Sequence, residues 1–117
     1  MSVVTIQVGQ CGNQMGYSFY EQMMAEYQSS SPLIQERVIE TFFQRDFEND
    51  CLIPNAILID MEPKVVQKCI KDSALSGGKT WRFSEKYAHY RQSGSGNNWA
   101  LGYGSYEGEK ERAHQKI

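Results

Sequence analysis

Residues 3–24 read VVTIQVGQCGNQMGYSFYEQMM. The first six, Val3 to Val8, are β-branched and partly alternating, which is the composition of a strand. Gly9, Gly12 and Gly16 follow. From about Asn13 the apolar positions Met15, Phe19, Met23 and Tyr27 recur at helical spacing, with Tyr20 and Met24 broadening the stripe. A strand that turns through glycine into an amphipathic helix opens a βαβ unit. Ser29, Ser30, Ser31 and Pro32 close that helix, because serine and proline favour a turn.

The next ordered run is NAILID at 55–60, continuously apolar and ending in an acid, as expected for a strand buried on both faces of a parallel sheet. Pro63 suits the first position of a helix, and Val65, Val66, Cys69 and Ile70 give that helix one core-facing stripe. Residues 33–53 are mixed and charged, with Phe42, Phe43 and Phe47 as anchors; they are expected to be irregular with one short helical piece. SGGKT at 76–80 breaks the second helix. A loop-rich stretch then leads to SGSGNNWALGYG at 93–104 and a charged, helix-prone end at 107–117. Two parallel strands joined by a helical crossover define an α/β fold. The pattern stops in mid-course, so the sequence reads as the front portion of a larger domain, with an uncovered apolar face and open strand edges.

At 117 residues the chain has 12 Lys plus Arg against 14 Asp plus Glu, a formal charge of −2, and no polybasic run. This offers no electrostatic attraction to nucleic acid or an anionic membrane. No signal segment opens the chain and no apolar run approaches membrane-span length, so it reads as soluble and cytoplasmic. Cys11, Cys51 and Cys69 are widely spaced, and His89 and His114 lack a ligand-spaced partner, which argues against a zinc site. The cysteines are expected to be small buried apolar groups in a reducing compartment.

Ligands of open α/β sheets bind at the carboxyl edges of the strands, and two turns here leave such edges. In GQCGNQ, residues 9–14, glycine lets backbone approach a ligand, and the N–H groups of the following helix favour an anion. Gln10 and Gln14 add amide donors and acceptors suited to phosphate oxygens or a base edge. In Asp60-Met61-Glu62-Pro63 two carboxylates two residues apart can point to one side. They suit a Mg²⁺ ion that keeps its waters and shares substrate phosphates, or, alternatively, only the dipole of the next helix. In Ser93-Gly94-Ser95-Gly96-Asn97-Asn98-Trp99, alternating Ser and Gly can curl backbone N–H groups into an anion nest; the plainer reading is a loop whose Trp99 plugs a core gap. Gly78-Lys79-Thr80 imitates a P-loop, but the required first glycine falls on Ser73 and the segment follows a helix, so Lys79 is read as a solvated loop residue.

GQCGNQ, LIDMEP at 58–63 and GSGNNWA at 94–100, in this order and after these strands, resemble the N-terminal nucleotide-binding region of the tubulin family over essentially the whole chain. ILIDMEPKVV, GSGNNWALGY and the TWRF at 80–83 are most similar to the delta type. The resemblance implies a partial Rossmann-like doubly wound parallel sheet, residues 1–117 forming an incomplete GTP-binding domain. It implies GTP and Mg²⁺ as cofactors, with Gln10 and Cys11 against the phosphates and nucleoside and Gln14 near the guanine. Asp60 and Glu62 would face the metal through water, and the backbone of Ser95, Gly96 and Asn97 the terminal phosphate. Other tubulins or a microtubule-associated assembly would be the partners, with no nucleic acid and no membrane, and a delta-like place in centrioles, basal bodies and cilia. The family's GGGTGSG loop does not occur in these residues, nor does its hydrolytic acid, so no catalytic residue is assigned. A non-catalytic fragment without independent turnover is the alternative. Leu101 stands where α- and β-type sequences carry Lys or Arg. A dinucleotide oxidoreductase ranks third, since the glycines are too widely spaced and neither MEP nor GNNWA is explained by it.

Overall fold

A computed structural model describes residues 1–75, 80–92 and 94–104. β1 (Thr5–Val8) runs directly into α1 (Gly9–Ser29), followed by α2 (Pro32–Phe42), β2 (Phe43–Asp46), β3 (Cys51–Pro54), β4 (Ala56–Asp60) and α3 (Pro63–Leu75). A single 3₁₀ turn (Glu85–Tyr87) then leads into β5 (Ala88–Tyr90), and residues 99–104 are helical. β1, β4 and β5 form a parallel sheet with β4 in the middle. Val8 pairs with Ile59 and Asp60 with Tyr90, so the three carboxyl ends finish side by side. This is the expected α/β architecture, a partial Rossmann-like sheet.

α1 and α3 cover one face of that sheet, burying Tyr20, Met24, Val66 and Cys69 against Ala56 and Leu58. On the opposite face Val4, Ile6 and Val8 are 59%, 65% and 61% exposed, and Ile57 is 39% exposed. The expectation that β4 is buried on both faces therefore fails among the described residues. Leu58 is buried under the helices, while Ile57 looks outward.

The stripe read along α1 also needs correction. Met15 and Phe19 are largely exposed, and the ridge that packs inward contains Gly12, Asn13, Gly16, Tyr20 and Met24. Gly16 contributes to it: a Cβ there would overlap the buried amide end of Gln7, which would have to move for α1 to lie this close to β1. Met15 and Phe19 are thereby left exposed, while Tyr17, Met23 and Tyr27 pack at the edge of the core.

Residues 33–53 are ordered rather than irregular. Pro32 occupies the start of α2, where its missing N–H costs nothing, and Ile39 is buried with Val38 and Phe42 packed beside it. β2 and β3 are antiparallel, pairing Phe43 with Pro54 and Asp46 with Cys51. Their turn is built by Asp46, whose Oδ1 accepts from Glu48 N (3.1 Å) and Asn49 N (3.3 Å), while Oδ2 accepts from Asn49 Nδ2 (2.8 Å). Phe47, an expected anchor, sits on this turn 87% exposed. β3 also bonds to the segment around Trp81, through Leu52 N to Thr80 O (2.7 Å) and Arg82 N to Leu52 O (3.0 Å).

Trp81 and Phe83 meet edge-on at 5.5 Å between ring centroids, and both lie against Tyr20, which in turn meets Phe43 at 5.5 Å. This aromatic cluster is the centre of the core. Trp99 does not join it: the ring is exposed and stacked on Tyr103 at 5.0 Å. Of the three cysteines only Cys69 is buried; Cys51 is half-buried and Cys11 exposed. Among the described residues no helix is long and apolar enough to cross a membrane. The P-loop imitation at Gly78-Lys79, Ser93 and the helix-prone end at 107–117 lie outside the described residues.

Candidate functional site

At the carboxyl rim of the sheet each of three chain reversals has a distinct local cause. β1 passes into α1 with no connecting loop, through Gly9 at φ +73°. Gln10 and Gln14 then stand one turn apart on the same side of α1. At the end of β4, Asp60 Oδ1 accepts from the backbone N–H of Glu62 (3.2 Å), which folds the chain towards Pro63 and the start of α3. The third reversal closes through Asn98 N to Ser95 O (3.0 Å), with Gly96 and Asn97 both left-handed at φ +59° and +58°. Asparagine tolerates that conformation better than most residues. Asn98 Oδ1 accepts from Leu101 N (3.2 Å) and so caps the helical residues 99–104.

These reversals border one open groove of about 890 Å³, within the size range of small-molecule sites. Gln10 and Gln14 line it from α1, Asp60 and Glu62 from the second reversal, and Ser95 and Asn97 from the third. Six of the eight residues singled out from the sequence therefore share one concavity. Cys11 and Gly96 are not among its lining residues. Cys11 is exposed with its Sγ 3.6 Å from Met15 Sδ, and Gly96 has open space where a side chain would be.

Gly94 joins the second and third reversals. A Cβ at this position would overlap the carboxyl group of Glu62, so the acid seats itself on bare backbone. Asn13 joins the first and second. Its side chain is fully buried, and its Nδ2 donates to Gly9 O (2.8 Å) and to Ile59 O (3.0 Å), tying the start of α1 to the end of β4. Cys69 Sγ lies 3.6 Å from Asn13 O, and burial raises the pKa of that thiol. Sequence pattern places Gly94 only in a nest of backbone N–H groups and gives Asn13 no role of its own. Asn13 lay inside GQCGNQ, but nothing in its spacing distinguishes a tether from a ligand contact.

The groove is also lined by Lys64, Lys68, His89 and Arg91, none of them singled out beforehand. The detectable signal was register: Lys64 follows Pro63 in the first turn of α3, and His89 stands beside Ile59 in the sheet. Lys68 pairs with Asp72, which raises its pKa. Chemically, the groove offers neutral amides, helix N–H groups and cations for an anion, and two carboxylates for a hydrated cation. Among the described residues no three His, Cys, Asp or Glu groups cluster as a metal cage. The two rim carboxylates, Asp60 and Glu62, are chemically able to face a hydrated divalent cation.

Comparison with known proteins gives an independent result. The description "Tubulin/FtsZ family, GTPase domain" matches residues 2–117. Among curated proteins, the chain is 38% identical to "Tubulin delta chain" of Homo sapiens and of Macaca fascicularis, and 37% identical to that of Mus musculus. Each match covers 88% of this chain and 24% of the relative, so the chain spans about a quarter of the length of these relatives.

Proposed function

Since the chain belongs to the Tubulin/FtsZ family, we propose that the groove at the rim of β1, β4 and β5 holds GTP with a Mg²⁺ ion. The observation that carries this reading is the convergence of Gln10, Glu62 and Asn97, from three separate reversals, around one concavity. Gln10 and Cys11 are assigned to the phosphates and nucleoside, and Gln14 to the guanine end. Asp60 and Glu62 face the metal through its waters, and the backbone of Ser95, Gly96 and Asn97 approaches the terminal phosphate. A bound Mg²⁺ would neutralise phosphate charge at that place. The reading is one of binding, and no step of hydrolysis is assigned to any residue. The likeness to delta tubulins extends it to a cytoskeletal role alongside other tubulins, at centrioles, basal bodies or cilia.

Thermal unfolding of the full chain with and without GTP–Mg²⁺ tests the proposal. A ligand that binds only the folded form, at a hundredfold excess over its Kd, stabilises by about 2.7 kcal/mol and raises Tm. The expected result is a rise with GTP that shrinks in Gln10→Ala, because an unpaired ligand oxygen costs about 1–3 kcal/mol. An unmoved Tm at saturating nucleotide would overturn the proposal.

A further inference from the structure

Lys64 is the exposed second residue of α3, and its side chain lines the groove. A cation belongs at the other end of a helix, since the aligned peptide dipoles already make the first turn positive. Asp60 and Glu62 line the same groove, yet Lys64 has neither an ion pair nor a hydrogen bond with any described residue. Its neighbours are committed elsewhere: Lys68 to Asp72, and Arg91 to an interaction of its own. Among the described residues lining the groove, Lys64 is thus the one Lys or Arg without a partner.

We infer that Lys64 is a phosphate-binding residue that recognises the terminal phosphate of a bound nucleoside triphosphate, an inference that rests on the groove being a nucleotide site. An anion held there relieves the repulsion between the ammonium and the α3 N-terminus, and the charge-assisted contact is stronger than a neutral hydrogen bond. The third reversal lies directly beside this place, because Gly94 carries the Glu62 carboxyl group two residues before Lys64. The end of α3 and the Ser95–Asn97 turn therefore bracket the same end of the ligand, whereas Gln10 and Gln14 approach from α1. Discrimination between tri- and diphosphate is expected to depend on the α3 end.

The experiment is titration of GTP and GDP into the full chain at fixed Mg²⁺, comparing wild type with Lys64→Ala, Lys64→Arg and Lys71→Ala. The expected result is an approximately tenfold loss of GTP affinity in Lys64→Ala, the scale of one charge-assisted hydrogen bond, with GDP affinity unchanged. Lys64→Arg keeps the charge and should restore GTP binding, and Lys71→Ala, an exposed α3 lysine outside the groove lining, should alter neither ligand. Equal losses for GTP and GDP, or no change in either, would overturn the assignment while leaving nucleotide binding intact. If wild type itself binds neither nucleotide, the proposed function falls, and this inference falls with it.

Discussion

Asn13 carries two bonds that no other described side chain duplicates, since Gly9 O and Ile59 O both accept from its one Nδ2. Asn13→Ala would remove the side-chain tie between the start of α1 and the end of β4, two part-buried hydrogen bonds. The expected loss is about 1–3 kcal/mol, read from urea unfolding. Asp46 acts similarly on the surface. Its carboxyl is held below the ordinary 3.8, first by the Asn49 side chain and then by the Asn49 N–H, Arg82 and the Glu48 N–H. A folded-state pKa below the unfolded one means stability that is present above pH 3.8 and is lost as pH falls through the folded value. Melting at pH 5 and pH 3 should therefore separate more in wild type than in Asp46→Asn. Neither role was legible beforehand. GQCGNQ displayed its amides without saying which faced a ligand, and residues 46–50 lack the Asn-Gly or Asp-Gly pair that marks a tight hairpin.

α1 shows how the buried side of an element can be read in part. Helical spacing and the serine–proline stop located it, and it ends at Ser29. Of its apolar stripe, Tyr20 and Met24 are buried and Met23 and Tyr27 pack on the core, while Met15 and Phe19 are exposed and Gly12 and Gly16 lie against Gln7 of β1 instead. A glycine ridge has no hydrophobic signature, and its value appears only when a strand lies against it. Gly16→Ala should destabilise by about 1–3 kcal/mol through overpacking against Gln7. Gln7 is buried and its amide atoms have no hydrogen-bond partner among the described residues, so truncation at position 7 opens the space the new methyl needs. In a double-mutant cycle by denaturant unfolding, the cost of Gly16→Ala should fall in the Gln7→Ala background; strict additivity would contradict the close packing.

For the molecule as a whole, helices α1 and α3 lie on one side of the parallel sheet, and the other side presents Val4, Ile6, Val8 and Ile57. A contiguous apolar face of this kind favours non-specific aggregation. Ile6→Lys and Val8→Lys should lower light scattering of the concentrated chain while leaving its Tm nearly unchanged, because neither side chain is in the core. The sequence by itself determined the strands β1 and β4, the helices after them and the three reversals at the rim of the sheet. Those features depend on local periodicity, glycine and proline, which act over a few residues. Tertiary structure alone decided which ridge of α1 faces inward and that residues 43–54 pair as a hairpin beneath Trp81. It also decided that Lys64, His89 and Arg91 share a groove with Gln10. Such facts depend on contacts between segments far apart along the chain, and no local pattern encodes the distance between them.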